Sequence, residues 1–127
     1  MSHFSKIKTR IRNLDILKLT LKNLGFNYIS NRKLMENMNK EIQYVDLIAQ
    51  KNNNDLLGFI WDNGEYSLIT DLEFWTTNMT IDKLTEVLLQ HYALNSIKKS
   101  SSDEGFEQIK QEISNDGSIK ITLQRWS

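Results

Sequence analysis

Residues 56–72 read LLGFIWDNGEYSLITDL, and this stretch decides the fold. Large apolar side chains recur at every second position on both sides of Asn63-Gly64, and Asn-Gly is the strongest short signal for a two-residue β-turn. The pattern therefore predicts an antiparallel hairpin of residues 56–62 and 65–72. Pairing outward from the turn gives three cross-strand pairs on one face, which is predicted to be core: Trp61 with Tyr66, Phe59 with Leu68, and Leu57 with Thr70.

Two carboxylates, those of Asp62 and Glu65, face each other across this turn. Hard cations need several converging oxygen ligands, and Asp71 lies at the other end of the hairpin, on the order of 20 Å away. Two unit charges about 5 Å apart in water repel by only ~0.8 kcal/mol. Burying one large apolar side chain contributes roughly 1.5–3 kcal/mol. The sequence therefore predicts an exposed turn that tolerates the repulsion, and no metal site.

The rest of the chain predicts strands and helices in partly separate groups. The predicted elements are a strand at 3–11, a helix at 13–24 capped by Asn13, a loop at 31–40, a strand at 41–51, the hairpin, a helix from Asn78 or Thr80 to Leu94, a third helix opened by Ser101, and a strand at 118–126. The order β-α-β-β-β-α-α-β favours a single α+β domain over residues 1–127. We expect a mostly antiparallel sheet with helices packed on one face, in a ferredoxin-like or related arrangement. Adjacent first and last strands fit that arrangement.

Composition excludes several classes of function. Sixteen basic and sixteen acidic residues give a formal net charge of zero, so no chain-wide attraction to nucleic acid or anionic membranes is expected. The chain has no cysteine, which rules out disulfides, thiolate metal sites and a cysteine nucleophile. No apolar run approaches the roughly 20 residues that span a bilayer, and the N-terminus does not read as a secretory signal. No nucleophile-elbow or phosphate-loop motif occurs, so no catalytic residue, cofactor or metal is predicted.

Alternate positions of the first strand carry a candidate anion-binding set: Lys6, Lys8, Arg10 and Arg12. Four cations on one strand face suit phosphates, and weak RNA binding through them would fall steeply with salt. The alternative is a solvated face whose cations pair with carboxylates of neighbouring strands. Overall neutrality and the lack of a recognised nucleic-acid motif favour the solvated face, so nucleic acid is not the expected partner.

The chain has two histidines, His3 and His91. His91 falls on the apolar stripe of the second predicted helix, beside Tyr92. One interpretation is a small ligand-binding protein or enzyme with its site around His91 and Tyr92, which requires a pocket of roughly 300 Å³ or more with converging polar groups. The other interpretation is a histidine at the rim of the core.

The second face of the hairpin is the candidate partner-binding surface. It carries Ile60 and Ile69, and extending the alternation places Trp75 beside them. A half-apolar, uncovered sheet face in a small domain indicates contact with a protein partner or with a second copy of the chain. The pattern leaves both occupants open.

Four stretches resemble a known family: MSHFSKIKTRI at 1–11, GFIWDNGEYSLITDLEFW at 58–75, LLQHYALNSIKK at 88–99 and DGSIKITLQRWS at 116–127. They are similar to the conserved hypothetical chloroplast reading frame thirty-five, which belongs to plastid genomes and has cyanobacterial relatives. The resemblance covers nearly the whole chain. It implies a plastid-encoded, stromal protein of uncharacterised biochemistry, and no site residue is carried over.

The amino-acid composition agrees with that origin, because the chain is rich in Asn, Lys and Ile, which have AT-rich codons, and has two Ala and no Pro. The leading hypothesis is a non-enzymatic accessory protein or protein-interaction module. This hypothesis rests on the uncovered, aromatic-bearing sheet face and on the lack of a recognisable set of catalytic residues.

Overall fold

The computed structural model describes residues 4–31, 34–37, 39–72, 75, 80–113 and 117–125, without the side chains of 106–110, 113 and 123. The predictions made for His3 and Asn78 lie outside these residues. The elements are β1 Phe4–Ile11, α1 Leu14–Asn23, β2 Asn27–Ile29, β3 Leu34–Glu36, β4 Ile42–Tyr44, β5 Leu47–Lys51, β6 Asn54–Asp62, β7 Glu65–Asp71, α2 Ile81–Asp103, β8 Phe106–Ile113 and β9 Ile119–Arg125. The α+β class is confirmed, although the element order differs from the predicted one. A ferredoxin-like arrangement stays a prediction.

The hairpin of β6 and β7 forms with the predicted register. Phe59 pairs with Leu68 and Trp61 with Tyr66. Asn63 and Gly64 both have positive φ, 53° and 92°, as a type I′ turn requires. The hairpin lies inside a five-stranded sheet of order β1-β7-β6-β5-β2 in which every neighbouring pair is antiparallel.

One face of the sheet packs against both helices. Phe59, Leu57 and Leu68 are fully buried there, as the alternation predicts. The other buried members of this core are Ile11, Leu17, Leu21, Phe26, Leu47, Ala49, Leu56, Tyr66, Leu84 and Leu88. Trp61 departs from the prediction, because it is 49% exposed and meets Tyr66 edge to face with ring centroids 4.9 Å apart.

Helix α1 begins and ends where the sequence predicts. The Asn13 side chain accepts a hydrogen bond from the backbone N–H of Ile16 at 3.0 Å. At the other end Gly25 has φ +87°, and the Phe26 N–H donates to the Leu21 carbonyl, which completes a Schellman motif.

A small ribbon, β3 with β4, covers part of the second face of the sheet. The prediction of a loop at 31–40 is therefore wrong at β3, and the single strand predicted at 41–51 is split between β4 and β5. Met35 and Val45 pack with Ile48 and Ile69 in a second buried cluster. The sequence carries no signal for β3, because a strand of three residues is too short to show a two-residue period.

Gly58 lets this ribbon approach the sheet closely. A Cβ built at position 58 would lie 2.6 Å from Cγ1 of Val45 and 2.8 Å from Sδ of Met35. Any larger residue therefore has to push these side chains away.

The C-terminal part differs most from the predicted order. Helix α2 runs from the Thr80 cap to Asp103, so the third helix is wrong, and residues 106–113 are strand β8. The capping-box spacing at Ser101 was misleading because no Gly or Pro interrupts α2 before Gly105, which has φ +87°. The pairing skips Ile109, and this bulge hides the two-residue period of the strand. In the described part of the chain β9 pairs with β8 and not with β1.

We expect Gly58→Ala to destabilise the protein by about 1–3 kcal/mol, because the added methyl overpacks the ribbon contact. The control is a double-mutant cycle with Val45→Ala, which removes the nearest obstructing carbon. Urea unfolding should show a smaller cost of Gly58→Ala in the Val45→Ala background than in the wild type. Equal costs in both backgrounds would show that the contact with Val45 does not limit position 58.

Candidate functional site

The residues predicted to bind a partner do not share one exposed face. Ile69 is 4% exposed and Ile60 packs with it against the second cluster, beneath the ribbon. Trp75 packs against the helix-side core, and its Nε1 donates to Oγ1 of Thr70 at 2.9 Å. The expectation of an uncovered second face is therefore wrong at Ile69, and the placement of Trp75 on that face is wrong. The alternation fails at Trp75 because β7 ends at Asp71.

The ribbon carries its own exposed apolar surface, which we call the outer ribbon face and define as Leu34, Ile42 and Tyr44. These side chains are 44%, 61% and 67% exposed. Register explains why they share a side: Leu34 pairs with Tyr44, and Glu36 pairs with Ile42. The intervening pair, Met35 with Gln43, points the other way, and Met35 is buried against the sheet. Sequence reasoning missed this surface because it depends on β3.

The ribbon is tied to the central strand β6 at both of its ends. The backbone N–H of Glu36 donates to the Asp55 carboxylate at 3.3 Å. After β4, the N–H of Asp46 donates to the Phe59 carbonyl at 2.8 Å, and the Asp46 carboxylate accepts from the N–H of Trp61 at 2.7 Å. The outer ribbon face is therefore presented by a fixed element rather than by a free loop.

The four basic residues predicted to bind anions are all exposed, but they do not form one continuous row, and Arg12 lies just after the end of β1. Lys6 lies 2.6 Å from Oδ2 of Asp62, so it is paired across the sheet. The pairing of β1 with β7 is irregular between Lys8 and Ile11, and Arg10 there has φ 68°. This irregularity interrupts the alternation that the sequence suggested, and the Lys6 contact agrees with the solvated, carboxylate-paired interpretation.

The contact with Lys6 also offsets the repulsion between the two acids at the turn. Asp62 pairs with Glu65 across the hairpin, and the hydrogen bond and charge of Lys6 lower the pKa of the Asp62 carboxyl. A neighbouring amine thus stabilises the charged form. Within the described residues no group of three or more His, Asp or Glu side chains is placed to hold a metal ion.

His91 and Tyr92, the two residues of the alternative site, lie on α2, and Tyr92 has a structural role there. The Tyr92 hydroxyl oxygen accepts hydrogen bonds from the backbone N–H groups of Arg12 and Asn13, at 3.3 and 3.1 Å, which ties α2 to the start of α1. His91 is partly buried on α2. A cavity of about 220 Å³ lies beside α2, but neither residue lines it. Its lining consists of Gln90, Ala93, Leu94, Ile97, Ser118, Ile119 and Ile121.

Fold and surface together define an α+β protein whose antiparallel sheet lies between two helices and a β-ribbon with an apolar outer face. None of the helices in the described ranges combines the length and the apolar character needed to cross a membrane. A family model described as "Protein of unknown function (DUF1257)" matches residues 20–122.

The full-length relatives are proteins named "Uncharacterized protein ycf35". The chain is 38% identical to the one from Guillardia theta, over 99% of this chain and 98% of the relative. It is 35% identical to the one from Pyropia yezoensis, over 100% and 99%, and 33% identical to the one from Cyanophora paradoxa, over 99% and 98%. No solved structure matches the chain.

The chain therefore belongs to the ycf35 family, a family of unknown function, and the resemblance found in its sequence is confirmed. The relatives are proteins of plastid genomes, which supports a plastid location for this chain.

We expect Lys6→Met to raise the pKa of Asp62 toward its ordinary value near 3.9, because the amine that favours the carboxylate is gone. A lowered carboxyl pKa contributes stability that is present above about pH 4 and is lost as the pH falls through the folded-state pKa. The variant should therefore lose stability relative to the wild type at neutral pH and show a smaller difference in acid.

Carbon-detected NMR titration of the Asp62 carboxyl measures the pKa. Lys8→Met is the control, since Lys8 is the weakest of the charges that lower this pKa and should move it less. An unchanged Asp62 titration in Lys6→Met would contradict the assigned contact.

Proposed function

We propose that this chain is a non-enzymatic accessory protein of the plastid stroma that works by binding a protein partner through the outer ribbon face. The observation that carries the proposal is the exposure of Leu34, Ile42 and Tyr44 side by side on one short ribbon. Clustered apolar side chains on a protein surface indicate an interaction site, whereas single ones do not.

Energetics support the same surface. Covering each of these side chains contributes up to roughly 1.5–3 kcal/mol, and an exposed tyrosine is a residue type enriched at the centres of interfaces. The anchoring of the ribbon by Asp46 and Asp55 reduces the entropy lost on binding, because the surface is already ordered.

The expected result for a variant with Thr at all three positions (L34T/I42T/Y44T) is loss of a specific partner in affinity capture from plastid extract. Threonine keeps the preference for a strand while it removes most of the apolar area. Quantitative mass spectrometry compares the proteins recovered by wild type and variant.

The matched control is L19Q/L72Q, which removes two apolar side chains of similar exposure, 49% and 46%, from α1 and from the residue after β7. The control should keep the partner. A partner retained by the ribbon variant, or recovery of no specific protein by the wild type, would refute the proposal.

A second copy of the chain is the other occupant that the sequence left open. Sedimentation velocity in dilute solution distinguishes the two. A wild-type dimer that becomes monomeric in L34T/I42T/Y44T would assign the outer ribbon face to self-association, and a monomeric wild type would leave it to another protein.

The cavity beside α2 supports a second candidate function, the binding of a small, mainly apolar molecule. It is open to solvent on one side, and at about 220 Å³ it is smaller than the roughly 300 Å³ of a typical ligand site, so it suits only a small molecule. Leu94, Ile97, Ile119 and Ile121 supply apolar walls, while Gln90 and Ser118 supply polar groups. No catalytic role for His91 or Tyr92 follows from their positions. RNA binding through β1 has less support, because Lys6 is already paired with Asp62.

Decanoic acid is a suitable probe for this cavity. If it binds, Tm should rise by about 4 °C or more at a tenfold excess over Kd. Ala93→Trp, which fills the cavity from α2, should abolish the rise. The same rise in wild type and Ala93→Trp would place the binding elsewhere, and no rise in the wild type across a panel of apolar molecules would end this candidate.

A further inference from the structure

Three lysines converge on two aromatic rings at one edge of the main sheet. The amines of Lys18 and Lys22 lie 5.6 and 5.9 Å from the ring centroid of Tyr28. The amine of Lys51 lies 4.8 Å from the ring centroid of Phe26. We call these five residues the lysine edge.

The fold brings the lysine edge together from three elements. Lys18 and Lys22 are four residues apart on α1, so they share one side of that helix. Tyr28 on β2 pairs with Ala49 on β5, and the same antiparallel register places Phe26 beside Lys51. Strand β2 is the last strand of the five-stranded sheet.

Among the described residues these three lysines are not paired with a carboxylate, and neither are Lys8, Lys98 and Lys120. Within that group, the lysines of the lysine edge are the ones that gather on aromatic rings. Lys40, Lys83 and Lys99 each lie 3.4–3.8 Å from a carboxylate three or four residues away. Among the described residues no carboxylate lies within ion-pair distance of the three amines of the lysine edge. The chain is neutral overall, so this local positive charge is not a by-product of a basic composition.

Local contacts explain the position of each amine by itself, but they do not explain why three amines lie together. Lys22 lies in the last turn of α1, where the helix dipole favours a cation, and the two rings attract the amines through their faces. Two like charges four residues apart nevertheless repel each other. An anion placed between the amines of Lys18 and Lys22, which lie at most about 11.5 Å apart, relieves that repulsion.

We propose that the lysine edge is an interaction surface for an acidic, extended segment of a partner protein. In an extended chain alternate side chains point to the same side about 7 Å apart, which lies within the upper limit of about 11.5 Å on the separation of the Lys18 and Lys22 amines. In the described ranges β2 has a strand neighbour on one side, so its other edge offers backbone groups to an added strand.

An acidic protein segment fits this surface better than RNA does. Single-stranded RNA is held by bases that stack on open aromatic faces. Here Tyr28 is partly buried and has two amines over it, and Phe26 is buried with Lys51 over it. The surface therefore offers cations without a stacking platform. This inference is independent of the outer ribbon face, which lies on a different element.

The test is an NMR titration of the full ¹⁵N-labelled chain, at low ionic strength, with an eight-residue peptide of alternating Glu and Val. The alternation places all four carboxylates on one side of an extended peptide. The expected result is binding that shifts the amide signals of β2 and of the C-terminal half of α1. K18Q/K22Q/K51Q should weaken it roughly tenfold, as three exposed ion pairs are worth.

The matched control is K40Q/K83Q/K99Q, which removes the same number of charges from lysines that have carboxylate partners. It should change the affinity by less than about twofold. K18R/K22R/K51R keeps the charge and should keep the binding, which separates lost charge from lost structure. Equal weakening by the two glutamine variants would overturn the proposal, because it would show attraction to net charge alone.

Uridine octanucleotide is the second probe. Tighter binding of this RNA than of the acidic peptide, lost in K18Q/K22Q/K51Q, would assign the surface to nucleic acid and overturn the proposal. No binding of either probe to the wild type would also overturn it. Circular dichroism of every variant confirms that the fold is retained.

Discussion

Packing on both faces of the β6–β7 hairpin is the constraint on which the rest of the structure depends. Phe59 and Leu68 fill the helix-side core, while Gly58 and Ile69, the next pair along, face the ribbon. Both faces of the hairpin are therefore buried, and at Gly58 the close approach of Val45 and Met35 leaves no room for a side chain. Because burial of a large apolar side chain outweighs the ~0.8 kcal/mol repulsion at the turn, the acids at the turn do not oppose this arrangement.

Covering the second face moves the exposed apolar surface outward by one layer. Met35 and Val45 take up the contact with Ile69, and the other side of the same ribbon then carries Ile42 and Tyr44 into solvent. A three-residue strand cannot be stable alone. The hydrogen bonds of Glu36 to Asp55 and of Asp46 to β6 therefore hold the sheet cover in place, and they also fix the geometry of the outer ribbon face.

Charge is balanced over the whole chain but not over its surface. Lys6 pairs with Asp62, and this pairing turns a candidate phosphate-binding strand into part of a cross-sheet contact. At the opposite edge of the sheet Lys18 and Lys22 share the ring of Tyr28, and no carboxylate of the described residues is paired with either. Equal numbers of acids and bases therefore say little about local attraction, since the distance between the charges decides it.

Local patterns in the sequence determined the hairpin register at Asn63-Gly64, the Asn13 cap and the Gly25 end of α1, the α+β class and the family. The turn, the cap and the helix end depend on neighbours within a few residues, where period and capping chemistry act directly. Local patterns in the sequence did not determine the outer ribbon face. Ile69 is covered and Leu34 is exposed only because β3, a three-residue strand with no readable period, packs across the sheet. The continuation of α2 past Ser101 and the separate β8–β9 ribbon were likewise decided by tertiary structure, since strand partners distant in sequence are chosen by packing and not by local preference.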